Sequence, residues 1–396
     1  MKQYQRGNFL IGSFLIITIV FYYAGLHLDL QELGFTILFP SLFLLALALD
    51  IKTIAINSKE ITIYLLFLIL SMVSIFYENI VVDQFLFSTP KILASFMAAY
   101  VAVALNKNNK NYEDFFHYGY LLILFFIIFF EYLLGNFNIL EFYKPQVSRG
   151  VFLYNANYYS YISLFANFSI FRLYLKYPNK LTVFGCFILP ILALAMSFTT
   201  QSRSGLLFVI LINIAFWFWV NTLKKNVHPL KKLFRKVILV VGALFFSIQF
   251  FNFYSQSSIQ ERATQDGGRG YLFKRGLEVF AEYPFTGVGT GNFIYYNKGG
   301  LFTHSSYSEA LAEHGLFIGG LMILVFVLPL IKSFKLYWEN KTNTEVKLSL
   351  LFFATFLIYN NVYVFYKASF AMMYFFLMIG IHYQIESRIK KLDGGQ

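Results

Sequence analysis

Cysteine is almost missing from this chain: Cys186 stands alone in 396 residues, inside an apolar run. One thiol can build neither a disulfide framework nor a thiolate metal site. Charge is scarce as well, at 13% Asp, Glu, Lys and Arg against 58% hydrophobic residues and 50 phenylalanines. A soluble core cannot hide that much apolar surface, so lipid must act as the solvent. The net charge of +12 would suit a nucleic-acid partner if the cations formed one face. They sit instead in short clusters between apolar runs, the positive-inside pattern of membrane proteins, and no nucleic-acid binding is expected.

Runs long enough to cross about 30 Å of hydrocarbon recur along the chain. Twelve are expected, near 9–25, 34–49, 60–77, 86–105, 117–135, 158–175, 181–198, 205–221, 236–252, 316–332, 348–365 and 369–386. The fold class is therefore an all-α integral membrane protein of about twelve transmembrane helices, with one long external loop containing amphipathic helices. The first run is followed by LHLDLQEL without a small-residue cleavage site, so it reads as a retained signal-anchor. With a cytoplasmic N-terminus, 22 of the 32 Lys and Arg fall on the cytoplasmic side, and every short connection there holds at least two. Both termini come out cytoplasmic. One integrated membrane domain then divides into spans 1–9 over residues 1–252, the external loop 253–315, and spans 10–12 with a cytoplasmic tail over 316–396. A connection of that length exceeds what a connector needs, and such loops carry function or disorder.

Cations on the outer face run against the bias and need a reason. Arg149 lies in QVSRGVFLYNANYYS, Arg203 in TTQSRSG between spans seven and eight, and Arg262, Arg269, Lys274 and Arg275 in the long loop. Five arginines among ten external cations point to an anion served by a planar, bidentate donor, a phosphate or diphosphate. Ordinary pairing with external carboxylates is the competing explanation, above all for Arg275, which has Glu278 and Glu282 at helical spacing. Residues 270–283, GYLFKRGLEVFAEY, place Leu272, Phe273, Leu277, Phe280 and Tyr283 on one helical stripe, an amphipathic helix with Arg269 at its start. FTGVGTGNF follows Pro284, and its alternate glycines allow backbone to approach a ligand, although no strand–helix context makes them a dinucleotide fingerprint. THSSYSEALAEHG, 303–315, then places His304 among hydroxyls. A neutral imidazole there suits proton removal from a sugar hydroxyl; an interfacial histidine at the entrance of span ten is the plainer alternative. In a helix over 304–314, Ser308 would share the face of His304 and Glu313 would point away.

These residues resemble a known group. RGYLFKRGLEVFAEYPFTGVGTGNF followed by HSSYSEALAEHGLFIGG is similar to the signature region of the O-antigen ligase/polymerase superfamily. TTQSRSGLL resembles its short Ser-Arg turn, and RGVFLYNANYYS its Arg-Gly entry to a span. The resemblance runs from Arg149 to Gly320 in the family's order. It implies a membrane glycosyltransferase using undecaprenyl-diphosphate-linked glycans, without cofactor or metal. Arg203 and Arg269 would hold the diphosphate, with Arg149 and Arg275 as further candidates, and His304 would be the catalytic base. Ser305, Tyr307 and Glu309 would contact acceptor or sugar. Many members follow the histidine with asparagine, where this chain has Ser305, so the orienting role of that asparagine would pass to Ser305 or Ser306.

Two forms of the enzyme fit: a polymerase joining lipid-linked repeats, favoured by the HSSYSEALAEHG segment, and a ligase moving finished glycan onto lipid A-core or another surface acceptor. The partners implied are the lipid-linked donor, the glycan acceptor, membrane lipids, and a chain-length regulator and flippase of the same pathway. The location implied is the bacterial inner membrane, with the active site on the periplasmic or external face. Twelve spans with both termini inside is also a transporter layout, but transporters keep ionisable groups at mid-membrane. The span interiors here offer little beyond Glu131 and Asn360–Asn361.

Overall fold

The computed structural model describes residues 2–50, 58–109, 111–138, 152–221 and 268–393. The described residues hold no strand. Their α-helices are α1 (Lys2–Ala24), α2 (Gln31–Leu33), α3 (Phe39–Asp50), α4 (Lys59–Met72), α5 (Val82–Asn108), α6 (Tyr112–Leu133), α7 (Ala156–Lys176), α8 (Lys180–Thr199), α9 (Arg203–Ala215), α10 (Arg269–Glu282), α11 (Ser306–Glu339), α12 (Thr344–Tyr359) and α13 (Ser369–Asp393). A π-helical turn, Gly34–Leu38, joins α2 to α3 without a break. Eight of the helical segments are long and apolar enough to cross a membrane. The expected spans on α7, α12 and α13 are also helical, within a fold that is all-α. The ninth expected span, 236–252, lies outside the described residues, as do Arg149, Arg262 and the first part of the long loop.

The centre of the bundle is α13. From Phe370 to Ile379 every side chain is buried, which suits a sequence, FAMMYFFLMI, that is apolar on all sides. It runs along α5, whose Ala94, Ala98, Ala99 and Ala102 are small enough for the two backbones to approach closely, the usual device where lipid removes the drive for helices to associate. Around this pair α1 packs on α6, α6 on α7, α7 on α8, and α11 on α4 and α12. The outward surfaces carry Phe76, Phe125, Phe184 and Phe317, all strongly exposed. A contiguous apolar exterior of this kind fits a lipid-facing surface.

Helix ends gather in two sets. One is ion-paired: Arg172 on α7 donates from Nε to Glu113 at 2.6 Å and from Nη1 to Glu345 at 2.5 Å, Lys176 meets Asp114 at 2.7 Å, and Lys332 meets Glu60 at 2.6 Å. The other set joins the ends of α1, α6 and α12 to the starts of α7, α9, α11 and α13. There His27 Nε2 lies 2.9 Å from Glu131, which also accepts from Tyr159 and, at 2.8 Å, from Asn136. Glu131, which stood out in the sequence as a carboxylate near the end of its span, is fully buried and held by these three partners.

Arg172 and Glu113 are both almost fully buried. Removing the guanidinium leaves Glu113 desolvated beside a partner it has lost. Arg172→Ala is expected to cost about 3–5 kcal/mol, measured as a fall in thermal midpoint in detergent, whereas Arg388→Ala, on the exposed edge of the same network, should shift the midpoint little.

Candidate active site

His304 occupies a turn that the chain braces from several directions. Its backbone is left-handed, with φ 59, a conformation that a non-glycine residue adopts at a cost. Thr303 Oγ1 donates to Ser305 O at 2.8 Å and accepts from Ser305 N at 3.1 Å, closing the turn on itself. Helix α11 starts directly after it. Glu309, in the first turn of that helix, reaches back to accept the Thr303 N–H at 2.6 Å, and a carboxylate at this end also suits the helix dipole. Ser306 fixes the turn to the α12–α13 connection: its N–H donates to Asn360 O at 2.8 Å, its hydroxyl to Tyr363 O at 3.1 Å, and Phe365 N donates to that hydroxyl at 2.9 Å. The His304 ring lies on Phe302 with centroids 4.4 Å apart. Burial above all, then the Arg269 charge, hold its imidazole down to about 4, against a smaller opposing pull from Glu309. At neutral pH the ring is therefore uncharged and able to accept a proton.

The Arg203 turn shows the same kind of backbone strain. Gln201, φ 52, is another of the left-handed non-glycines among the described residues. Ser202 caps α9 by accepting from Gly205 N at 3.3 Å. Gly205 is required by space: a Cβ there would stand 2.4 Å from Ser160 Oγ and 2.7 Å from Ser197 Oγ. Its absence lets the start of α9 press onto α7 and α8, which sets Arg203, exposed, at the first position of the helix. Ser204 lies against Tyr359 at the end of α12, and the Arg269 charge acts on both Tyr359 and His304. The structure thus gathers Arg203, Arg269 and His304 around one end of α12.

Arg269 opens α10 behind Gly268, φ 67. The buried stripe of that helix is Leu272, Gly276 and Val279, whereas Phe273, Leu277 and Tyr283 are exposed. The expected stripe of large apolar residues is therefore only partly the buried one. Gly276 explains the rotation, because a Cβ on it would lie 2.9 Å from Thr303 Cγ2 and 3.1 Å from Ser308 Cβ. The helix docks through its smallest residue, directly against the His304 turn. Arg275 is engaged elsewhere, donating to Tyr296 O at 2.7 Å and to Glu282 and Glu278 at 2.9 and 3.2 Å. The ordinary pairing weighed for it in the sequence is the one observed.

The alternate glycines serve the fold. Gly315 breaks α11 with φ 70 and ψ −174, which frees backbone groups inside an apolar helix. The 284–289 segment takes them up. Ala312 O accepts from Val288 N at 2.9 Å, Glu313 O from Gly289 N at 2.8 Å, and Leu316 N donates to Pro284 O at 2.8 Å. Broken helix at membrane depth is tolerated only when protein satisfies it in this way. A Cβ on Gly287 would sit 2.4 Å from the Glu313 carbonyl carbon, so the approach needs glycine.

Among the remaining candidates, Ser305 is buried with its hydroxyl unpartnered by protein, and Tyr307 donates to Leu357 O at 2.5 Å. The helix starts at Ser306, after His304, so the face relation expected in a helix over 304–314 does not arise, and Glu309 and Glu313, four residues apart, share a face. Both meet a residue the motifs did not single out. Lys367 Nζ stands 2.8 Å from Glu309 Oε1 and 2.8 and 2.7 Å from the two Glu313 oxygens. Burial alone would drive its proton off, but the two carboxylates outweigh that and its pKa lies above the usual lysine value.

A family model described as O-antigen ligase matches residues 188–325. The match spans α8 to the middle of α11 and takes in Arg203, Arg269, Arg275 and His304, while Lys367 lies beyond it. No curated protein matches the chain.

A side-chain NMR titration of His304 should give a midpoint near 4, and Arg269→Ala should raise it. Because the folded value lies below the unfolded value of about 6.5, this residue's contribution to stability is present above the unfolded value. It is lost as pH falls toward 4. A His304→Asn variant should accordingly lose less stability than the parent across that window.

Proposed function

We propose, for a chain whose residues 188–325 match a family model described as O-antigen ligase, that it transfers glycan from a polyprenyl diphosphate to a sugar hydroxyl. The observation that carries the reading is the gathering of an uncharged His304 with Arg203 and Arg269 at one end of α12. His304 takes the proton of the acceptor hydroxyl, whose oxygen attacks the anomeric carbon of the donor and inverts it. The carbon–oxygen bond to the diphosphate breaks, and the leaving group departs with the electron pair. Arg203 and Arg269 match the charge it develops, the kind of electrostatic help worth about 3–4 kcal/mol per fixed donor in a site that excludes water. In this reading neither metal nor cofactor takes part. Ser305 and Glu309, in the segment that carries the base, orient the acceptor in this reading.

The site then faces the periplasm or cell exterior from the bacterial inner membrane. The lysine- and arginine-rich ion pairs at the opposite end of the bundle, Arg172, Lys176 and Lys332 among them, support that orientation. The reading takes the polymerising form, in which both donor and acceptor are lipid-linked repeats, on the likeness of HSSYSEALAEHG to polymerase members. The description of the matched family favours the ligase as second reading.

Protein in lipid nanodiscs, given lipid-linked repeat units alone, should produce a ladder of lengthening glycan. His304→Ala should lower its rate by roughly 10²–10⁴. A ladder that persists at full rate in the variant removes His304 from the chemistry. Product formed only when a second acceptor is added identifies the ligase.

A further inference from the structure

The left-handed backbone of His304, φ 59, persists where its surroundings over-determine it. Both flanks of the turn are tied to one short stretch, the α12–α13 connection, which holds a 3₁₀ turn over Phe365–Lys367. On the C-terminal flank Ser306 donates to Asn360 O and Tyr363 O and accepts from Phe365 N. On the N-terminal flank the tie runs through side chains. Thr303 N–H donates to Glu309 Oε2 at 2.6 Å, and Lys367 Nζ donates to Glu309 Oε1 at 2.8 Å. The His304 imidazole has no hydrogen-bond partner among the described residues. Its direction is set by the backbone of the turn and by the Phe302 ring, which stands edge-on to Tyr363 with centroids 6.0 Å apart.

Lys367 has the surroundings of a strut. An ordinary lysine at the lip of a span extends its ammonium toward water, but this side chain turns inward and is only 12% exposed. An ammonium has three protons, and here they meet three carboxylate oxygens, Glu309 Oε1 and both of Glu313. Glu313 lies one turn further along α11, and two carboxylates at that spacing repel each other unless a cation stands between them. Lys367 therefore lets Glu309 keep its charge in a buried place, and that charge holds the Thr303 N–H next to the base. One connection thus grips His304 from both sides, through Ser306 after it and through Lys367 and Glu309 before it.

We propose that Lys367 is a positioning residue for His304, fixing through Glu309 and the Thr303 N–H the turn from which the imidazole reaches the acceptor hydroxyl. The catalytic part of this statement rests on the transferase reading; the strut does not. Lys367 acts on the base at one remove, so its loss falls on the chemical step and leaves substrate binding in place. Displacing a reacting group by about 1 Å can cost roughly 10²-fold in rate.

The test uses the full chain in nanodiscs, with lipid-linked repeat units as substrate and side-chain NMR of His304 as a second readout. Lys367→Met should lower kcat roughly 10–10²-fold and leave KM within about twofold. The His304 midpoint should rise from near 4 toward the ordinary value of about 6.5, because a loosened turn admits water to the ring and leaves the Glu309 charge uncompensated. Arg172→Ala is the control: it destabilises the opposite end of the bundle, and its His304 midpoint should stay near 4. Where Lys367→Met does not fold, Lys367→Met/Glu313→Gln, with one buried carboxylate fewer, carries the same expectations. A midpoint still near 4 in the folded lysine variant overturns the strut, as does an equal rise in Arg172→Ala. A raised midpoint with kcat unchanged overturns the part Lys367 plays in the reaction. Absence of any glycan ladder from the parent protein overturns the transferase reading, and the titration then decides the strut by itself.

Discussion

A single buried ammonium ties this site together. Lys367 sits between Glu309 and Glu313 at hydrogen-bond distance from both, and all three are largely buried. Charges taken out of water repay the cost only through close geometry and complete hydrogen bonding. Here the geometry serves a second purpose. Glu309 holds Lys367 with one oxygen and the Thr303 N–H with the other, so the ion pair reaches the backbone of the His304 turn directly. Glu313 holds Lys367 with its side chain and Gly289 with its carbonyl, so the pair also reaches the glycine segment that repairs the α11 break. The α12–α13 connection and the start of α11 meet at one nitrogen atom, and the Glu313 backbone carries the link on to Gly289.

That arrangement explains which parts of the molecule could be read from sequence. Apolar runs are a composition signal, and lipid makes them nearly obligatory, so the helices from α1 to α9 and from α11 onward lie where hydropathy puts them. Arg203, Arg269 and His304 were legible because each stands in a local pattern, a tight turn or a helix start, that survives without knowledge of the fold. Lys367 stands in no pattern. YKASF at the lip of a span looks like an ordinary interfacial lysine, and only the packing of α13 against α5 and α11 brings it to the two glutamates. His27, the partner of Glu131, was hidden for the same reason: 104 residues separate them.

Glycine was misleading in an instructive way. Alternate glycines and a polar segment ahead of a span suggest backbone laid against a ligand, and the backbone is indeed laid against something, the carbonyls of α11. Gly276 likewise overrode the larger residues of α10. Hydrophobic spacing favoured burial of Phe273 and Leu277, but the tightest contact available was to Thr303 and Ser308, and only a residue without a side chain could make it. The helix turned its smallest face inward and left its rings outside. Close approach between backbones is worth more in a membrane bundle than burial of one more ring, because the rings find lipid in any case.

Those outward rings have a consequence for the bilayer. Tyr271, Phe273 and Leu277 are exposed on a helix fastened to the His304 turn, and side chains of this kind on an amphipathic helix suit a headgroup region. Seated there, they would act as a float line, setting the height of the Arg269 helix and the His304 turn relative to the headgroup plane. A membrane of different thickness cannot be accommodated at that end without moving the site. The adjustment falls to the opposite end, where Trp338, Lys341 and the long basic side chains of α13 can extend or fold back toward water. Acyl-chain length would then alter the reach of the lysines at that opposite end while the depth of the His304 turn stays constant.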